Sequence, residues 1–133
     1  MIIITIDTGT TNTRVCAWQD GALLAEAARA AGVRDTAITG STATLMQGVS
    51  DAVLEVKQKA AIPCDAKVVY LSAGMITSNV GLFEIPHLVA PAGLKELAEG
   101  MTPAHLPEIS DEPIWFVPGI RNHKDDVSLD NVE

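Results

Sequence analysis

The chain has 133 residues, of which 47% are hydrophobic and 20% are charged, so it is long enough for one domain with a proper core. The composition excludes the low hydrophobicity of a disordered chain and the long apolar run of a membrane span. Nine basic and 17 acidic side chains give a formal net charge of −8, which argues against nucleic acid as a partner because binding a phosphate backbone requires clustered Lys and Arg.

Three antiparallel strands are predicted for the first part of the chain. Residues 2–7 are β-branched and almost continuously hydrophobic, as in a strand that is buried on both faces. After a polar break, residues 13–19 predict a second strand of mixed polarity. Asp20-Gly21 is a strong two-residue hairpin signal, and it leads into a third strand over residues 22–26.

A loop, a helix and another buried strand are expected next. Residues 32–40 predict the loop and residues 43–60 the helix. The helix is indicated by an apolar stripe at helical spacing: Leu45, Val49, Ala52, Val53 and Val56. Residues 66–72 predict the strand, and Ala73-Gly74-Met75 follows at its C-terminal end. Ligands usually bind at that end of the strands in α/β sheets.

The rest of the chain is predicted to be more fragmented. Residues 76–82 indicate a short helical turn and residues 94–98 a short helix. Residues 114–117 predict a final strand, and residues 121–133 carry no strong pattern. This order suits an α/β fold with a mixed sheet, in which three antiparallel N-terminal strands come first and helices flank the sheet. We therefore predict a ribonuclease-H-like domain that occupies residues 1–133.

The cysteines and the N terminus bear on the cellular compartment. Cys16 and Cys64 lack the spacing of a CxxC motif or a zinc site, so we expect reduced thiols in the core rather than a disulfide. The N-terminal segment has no basic region and is too short for the apolar part of a signal peptide. These features predict a cytoplasmic protein.

A hairpin loop between the first two strands is the first candidate site. Its sequence runs Asp7-Thr8-Gly9-Thr10-Thr11-Asn12-Thr13-Arg14. Gly9 allows the backbone to turn and approach a ligand closely, and Asp7 stands at a strand end, where it can hold Mg²⁺ or its waters. The side chains that can donate hydrogen bonds to phosphate oxygens are Thr10, Thr11 and Asn12. These residue types also occur in ordinary hairpins, but their place directly after a buried first strand favours phosphate binding.

Three further charged residues near strand ends have two interpretations each. Arg14 can stabilise the charge of a transferred phosphate, or it can pair with Asp7. Asp125 and Asp126 follow the last predicted strand, where a carboxylate can accept the proton of an attacking hydroxyl, or they form a solvated acidic run. Both pairs of alternatives stay open, and we take the two aspartates as candidate catalytic residues beside Asp7.

The hairpin loop resembles the first phosphate loop of the superfamily of acetate and sugar kinases, heat-shock chaperones and actin, which begins with such an aspartate. Three later segments resemble the 2-dehydro-3-deoxygalactonokinase family in particular. They are AGMITSNVG at residues 73–81, PHL at residues 86–88 and IWFVPG at residues 114–119. The similarity extends from Ile4 to about Asp126.

This resemblance implies an actin-like ATPase fold and a kinase that uses ATP and Mg²⁺ to phosphorylate the terminal hydroxyl of 2-dehydro-3-deoxygalactonate. In such a kinase the phosphate loop corresponds to residues 7–14, and its nucleotide-binding candidates here are Gly9, Thr10, Thr11, Asn12 and Arg14. The resemblance also brings residues 74–81 to the cleft, with these substrate-binding candidates: Gly74, Met75, Ser78 and Asn79. The last two can bind a polyhydroxy acid or cap the start of a helix, and both interpretations stay open.

In this family the second phosphate loop, the adenine pocket and the rest of the cleft belong to a C-terminal lobe that these 133 residues do not contain. We therefore expect the chain to be part of an enzyme and to show no turnover by itself, because phosphoryl transfer requires both lobes. We also expect an apolar surface that meets the absent lobe and through which the chain can self-associate.

Three other functions are compatible with parts of the pattern. A ribonuclease-H-like nuclease would use Asp7 with other carboxylates around two metal ions, but the acidic chain lacks the basic face that such an enzyme needs. A non-enzymatic actin-like assembly or regulatory module would keep the loop and use its cleft face for protein contact. A type III pantothenate kinase begins with a similar loop, but it fits the segments around Gly74 and Trp115 less well.

Overall fold

The computed structural model describes residues 1–122 together with the backbone of residues 131–132. Its first three strands form an antiparallel meander: β1 (Ile2–Thr8), β2 (Thr13–Gln19) and β3 (Ala22–Arg29). Asp20 and Gly21 form the turn between β2 and β3 with φ angles of 51° and 81°, a left-handed conformation that these residue types tolerate. The three predicted strands are confirmed, and β3 extends beyond its expected end.

A short helix follows β3 where a loop was expected. Residues 32–40 contain α1 (Val33–Thr39), so the prediction of a loop is wrong. The Gly32 amide donates a 2.9 Å hydrogen bond to the Asp35 carboxylate at the start of the helix, and Gly40 ends it with φ 73°. Val33 is its one buried residue, which means that the segment has no apolar period from which a helix could be predicted.

The long helix α2 (Ala43–Lys59) packs against β2 and β3. The predicted apolar stripe is buried against the sheet: Leu45, Val49, Ala52, Val53 and Val56. Gly48 brings the helix close to the end of β3, since a Cβ at this position would lie 2.6 Å from the Cβ of Ala31. The predicted helix and its buried face are therefore confirmed.

After β4 (Val68–Gly74) the chain forms short elements. In order they are a 3-10 helix (Met75–Thr77), β5 (Leu88–Val89), α3 (Leu94–Glu99), β6 (Thr102–Ala104), β7 (Ile114–Phe116), β8 (Ile120–Arg121) and β9 (Asn131–Val132). The helical turn expected over residues 76–82 is shorter than predicted. Strands of two or three residues have no period that a sequence can reveal, so β5, β6, β8 and β9 escape prediction.

The strands form two sheets. The larger has the order β3-β2-β1-β4-β7-β6, and the smaller has the order β5-β8-β9. β1, β4 and β7 are parallel neighbours, with Asp7 opposite Ala73 and Thr8 opposite Gly74. Parallel neighbours have their C-terminal ends at the same edge of the sheet. This edge therefore gathers the residues that follow β1, β4 and β7.

The core lies between α2 and one face of the larger sheet, where Ile4, Ile6 and Tyr70 are buried. The opposite face, here called the open sheet face, consists of in-register residues that are half-buried or exposed: Ile3, Thr5, Trp18, Leu71 and Trp115. The predicted α/β fold with a mixed sheet and flanking helices is confirmed.

The two cysteines differ in their surroundings. Cys16 is buried in β2 as expected, whereas Cys64 is exposed, so its prediction as a core thiol is wrong. Cys64 lies in the connection between α2 and β4, which contributes no side chain to the core at this position. Within the described residues, none of the helices combines the length and the apolar character that crossing a membrane requires.

Candidate functional site

The C-terminal ends of β1 and β4 form the centre of the candidate site. The Asp7 side chain is exposed there, and Gly74 ends the neighbouring strand. Gly74 has φ 87° and ψ −154°, a conformation that is essentially restricted to glycine. A Cβ at Gly74 would lie 2.9 Å from Asp7 Oδ1 and 2.6 Å from the carbonyl oxygen of Thr8. Gly74, a predicted substrate-binding residue, thus allows the two strand ends to approach each other.

The predicted phosphate loop forms a tight turn, in which the Gly9 amide donates to the Asn12 carbonyl at 2.9 Å. The Asn12 side-chain amide donates to Thr11 Oγ1 at 3.0 Å, and Thr10 Oγ1 donates to Met75 Sδ at 3.5 Å. In the part of the chain that the structure describes, the backbone N–H groups of Thr10 and Thr11 donate to no other protein group. Unpaired N–H groups and exposed hydroxyls on a turn are well suited to binding phosphate oxygens.

Helix α1 begins directly against the phosphate loop. The backbone N–H groups of Val33 and Arg34 donate to the carbonyls of Gly9 and Thr10, at 3.2 and 2.9 Å. A Cβ at Gly32 would collide with the Thr10 carbonyl, so this contact requires glycine. The carbonyl oxygens of Gly9 and Thr10 therefore already accept hydrogen bonds from the protein itself. Gly32 thus allows α1 to contact the loop. The sequence did not reveal this position, because the helix that it precedes has no apolar period.

Two buried threonines hold the base of the loop. Thr8 and Thr13 are 1% and 0% exposed, and their hydroxyl oxygens lie 3.2 Å apart. Thr13 Oγ1 also donates to the Ala31 carbonyl at 2.8 Å, which ties the loop to the connection between β3 and α1. These threonines belong to the predicted motif, but the structure shows that they are internal supports, whereas Thr10 and Thr11 are exposed.

Arg14 faces Asp7 across the β1–β2 pair, yet within the described residues no salt bridge joins the two side chains. Arg14 is exposed and contributes to a surface depression of about 240 Å³ at the β3 edge. The other charged residues of this depression are Glu26, Glu55 and Lys59. Of the two roles predicted for Arg14, pairing with Asp7 is not observed, and the role at a phosphate stays a prediction.

The Cys16 thiol lies on the same face as Asp7 and Arg14. Burial raises the pKa of this thiol, Glu26 raises it further, Arg14 lowers it, and Asp7 has a smaller raising effect. Cys16 is thus held in its protonated form at neutral pH and is a poor nucleophile.

A cleft of about 630 Å³ opens beside the loop. Six of its lining residues are Met75, Thr77, Ser78, Asn79, His87 and Arg121. Ser78 Oγ donates to the Met75 carbonyl at 2.7 Å and accepts from the Val80 amide at 3.4 Å, so it stabilises the turn, and its second lone pair can still accept a hydrogen bond. Because Met75 contacts both Thr10 and the cleft, the cleft adjoins the phosphate loop.

The predicted site residues thus form two adjoining groups. Asp7, the phosphate loop and Gly74 meet at the strand ends, and the cleft contains the remaining substrate-binding candidates: Met75, Ser78 and Asn79. Asp125 and Asp126 lie outside the described residues. The position of Arg121 in the cleft wall becomes evident only from the tertiary structure, because residues 121–133 carry no strong sequence pattern.

Asp7 is compatible with Mg²⁺, although the protein offers few ligands for it. Among the described residues no group of three or more His, Cys, Asp and Glu side chains is arranged to hold a metal ion. Mg²⁺ typically keeps several waters and binds one or two carboxylates together with substrate phosphates. A single exposed carboxylate beside a turn with phosphate-binding groups fits this mode of binding.

Comparison with known proteins was made for both sequence and structure. A family model described as 2-keto-3-deoxy-galactonokinase matches residues 7–132 of the chain. No curated protein sequence matches the chain. A crystal structure from Sinorhizobium meliloti, whose protein carries the provisional name 2-dehydro-3-deoxygalactonokinase, superimposes with a TM-score of 0.70 at 24% identity. This likeness covers 98% of the chain but 38% of that protein, and it shows that the fold is shared.

Two structures of a PPX-GPPA enzyme from Aquifex aeolicus are more distant. They match with a TM-score of 0.37 at 14% and 16% identity, and the matches cover 60% of this chain and 29% of theirs.

Proposed function

The chain belongs to the 2-keto-3-deoxy-galactonokinase family, and we propose that it is the N-terminal, phosphate-binding lobe of a kinase that uses ATP and Mg²⁺ to phosphorylate the terminal hydroxyl of 2-dehydro-3-deoxygalactonate. The observation that supports this most directly is the position of Asp7 beside a turn with unpaired donors. A cleft with polar groups adjoins that turn, so a phosphate and a hydroxylated acceptor can lie next to each other.

The residues of the lobe bind and orient the reactants. The N–H and hydroxyl groups of Thr10 and Thr11 bind phosphate oxygens, and Asp7 holds Mg²⁺ or its waters. ATP supplies the phosphoryl group that is transferred. The acceptor lies in the cleft with its terminal hydroxyl towards Met75, and Asp125 or Asp126 takes the proton of that hydroxyl. Positioning and electrostatic stabilisation are the main contributions in phosphoryl transfer.

A second lobe is required for turnover. The chain spans 38% of the length of the Sinorhizobium meliloti protein that shares its fold. We propose that the open sheet face meets the rest of such a longer protein, since Trp115 is 40% exposed and Leu23, which pairs with Trp18, is 48% exposed. Without that cover, the same face would allow the lobe to self-associate.

The alternatives have less support. A nuclease would need several carboxylates around two metal ions, whereas Asp7 belongs to no acidic cluster in the described part of the chain. An assembly or regulatory module is favoured by one observation, the apolar character of the open sheet face. That face is equally expected of a kinase lobe, and the polar cleft beside the loop is explained by the kinase alone.

The proposal is tested on Asp7. Titration of the 133-residue chain with Mg·ATP, followed by NMR of the loop amides, should show binding that Asp7→Asn weakens by about tenfold or more, because the charge that holds the metal is lost. Asp20→Asn is the matched control, since Asp20 is an exposed turn residue at the far end of β2. Equal binding by the wild-type chain and Asp7→Asn would contradict the phosphate-site assignment.

Turnover provides the second measurement. The chain alone should release no ADP in a coupled assay with 2-dehydro-3-deoxygalactonate. When it is completed by a second lobe, Asp7→Asn should lower kcat by about a hundredfold or more with little change in the melting temperature. Robust turnover by the chain alone would disprove the need for a second lobe.

A further inference from the structure

The smaller sheet contributes Arg121 of β8 to the wall of the cleft beside the phosphate loop. β5 pairs with β8 in parallel, with Leu88 opposite Ile120 and Val89 opposite Arg121. The Leu88 amide donates to the Gly119 carbonyl and the Ala90 amide donates to the Arg121 carbonyl, both at 2.8 Å. The backbone of Arg121 is therefore held in place by a neighbouring strand, although its sequence context predicts no structure.

Arg121 carries the permanent positive charge among the described residues that line the cleft. These residues include one arginine, one histidine and no lysine. Among the described residues Arg121 forms no salt bridge, and its side chain is half-buried. Its guanidinium is therefore available to a ligand, and a partly desolvated guanidinium binds a carboxylate through two parallel hydrogen bonds more strongly than an exposed one.

The other polar groups of the cleft suit hydroxyls rather than a second anion. Glu84 lines the same space, and its carboxylate accepts hydrogen bonds from hydroxyl groups but repels another carboxylate. Asn79 can both donate and accept, and Ser78 Oγ can accept one further bond. The lining thus combines one site for an anion with several partners for a hydroxylated chain.

The cleft that Arg121 lines also adjoins the phosphate loop. Met75 lines the same cleft, and its sulphur lies 3.5 Å from Thr10 Oγ1. A carboxylate bound at Arg121 and a hydroxyl next to the loop can therefore belong to one acceptor that occupies this cleft. The cleft volume of about 630 Å³ is ample for a six-carbon acid.

We propose that Arg121 binds the carboxylate of the acceptor and thereby selects polyhydroxy acids over neutral sugars of the same length. This inference rests on the proposed kinase function for its choice of ligand. Arg121 is then a specificity-determining residue, which holds the end of the substrate that does not react. Loss of its charge removes the preference for acids without affecting the binding of neutral analogues.

The test compares an acid with its neutral counterpart. The 133-residue chain is titrated with 2-dehydro-3-deoxygalactonate and with the primary amide of the same acid, and binding is followed by NMR of the cleft residues. The wild-type chain should bind the acid about tenfold more tightly than the amide, because charge-assisted bidentate hydrogen bonds are lost with the amide. Arg121→Gln should abolish this preference and leave the affinity for the amide unchanged.

Two further variants complete the design. Lys67→Gln removes an exposed cation before β4, outside the cleft lining, and should keep the preference. Arg121→Lys keeps the charge but loses the planar fork, so an intermediate preference is expected. Equal affinities of the wild-type chain for acid and amide, a preference that survives in Arg121→Gln, or no binding of the acid would each overturn the inference.

The Mg·ATP titration separates this inference from the kinase proposal. Acid selectivity that depends on Arg121 in a chain that does not bind Mg·ATP would refute the phosphate site and support the carboxylate site. Binding of Mg·ATP that depends on Asp7, with no discrimination between acid and amide, would support the phosphate site and refute the carboxylate site. A circular dichroism spectrum and a melting curve identify any variant that fails to fold, and Arg121→Lys then serves as the deciding variant.

Discussion

The strand-end site and the cleft are neighbours, but they are built in different ways. Asp7 and Gly74 lie at the C-terminal ends of β1 and β4, which have seven residues each and pair with each other along their whole length. The loop between β1 and β2 is held in place by buried threonine hydroxyls. The cleft is formed by a 3-10 turn and by strands of two residues. Under the proposed function, the phosphate common to all reactions of a kinase would thus be bound by the most extensively paired part of the fold, and the group that distinguishes acceptors would be bound by short elements.

This difference predicts unequal tolerance to change. Short elements with few buried contacts open more easily than the central strands of a sheet. A substitution that distorts the strand ends should therefore destabilise the whole domain. A comparable substitution in the cleft should have a local effect, and a matched pair of glycines makes this testable.

The largest effect is expected for Gly74→Ala. The backbone conformation at Gly74 is strained for any other residue, and the added Cβ would meet the Thr8 carbonyl and Asp7 Oδ1. Strain and overpacking together should lower the free energy of unfolding by roughly 3 kcal/mol, as measured by denaturant titration. Gly40→Ala is the control, because Gly40 has φ 73° but open space around its Cβ position, and about 1 kcal/mol is expected.

Gly81→Ala is the counterpart in the cleft. Its Cβ would collide with the backbone of Ile76, so a similar clash arises within the turn that follows the 3-10 helix. Relief of this backbone clash requires the turn itself to shift, at a cost of roughly 2 kcal/mol, and the glycine-only backbone conformation that adds to the cost at Gly74 is absent here. Hydrogen exchange should increase around residues 75–90 and remain unchanged in β1 and β4. Faster exchange throughout the sheet would show that the two regions are not independent.

The smallest effect concerns acidic pH and a charged cluster away from both regions. Hydrogen bonds from Lys59 and then Arg29 lower the pKa of the Glu55 carboxyl, which joins α2 to β3. A lowered folded-state pKa means that this cluster stabilises the fold above the ordinary pKa of glutamate and that the contribution is lost as the pH falls through the lowered value. Since the cluster is partly exposed, the contribution is small.

Glu55→Gln should accordingly reduce the melting temperature slightly at neutral pH and bring no difference from the wild type in strong acid. Glu112→Gln, which alters an exposed residue that forms no ion pair in the described chain, is the control. A Glu55→Gln effect that grows with acidity would have the wrong sign for this explanation. An effect on binding of Mg·ATP would show that the cluster is coupled to the strand-end site.

Most of the long elements could be predicted from local patterns. The continuous hydrophobic run of residues 2–7 indicates β1. The prediction that both faces of this strand are buried is wrong, because Ile4 and Ile6 are buried but Ile3 and Thr5 are half-buried on the open sheet face. The apolar stripe of α2 likewise corresponds to a face that the sheet buries. The failures are short elements. α1 has one buried residue, and β6 has three residues, so their formation depends on contacts with distant parts of the chain.

The sequence by itself determined the class of the fold and the place of the hairpin turn that is predicted to bind phosphate, with the aspartate that begins it, because strand periodicity and turn chemistry are local properties. Only the tertiary structure decided which residues meet there. Gly32 contacts the loop through α1, Gly74 reaches Asp7 through parallel pairing, and Arg121 enters the cleft wall by pairing with β5. These contacts join residues far apart in the chain, and their geometry follows from sheet register and close backbone approach, which no local pattern of residue types specifies.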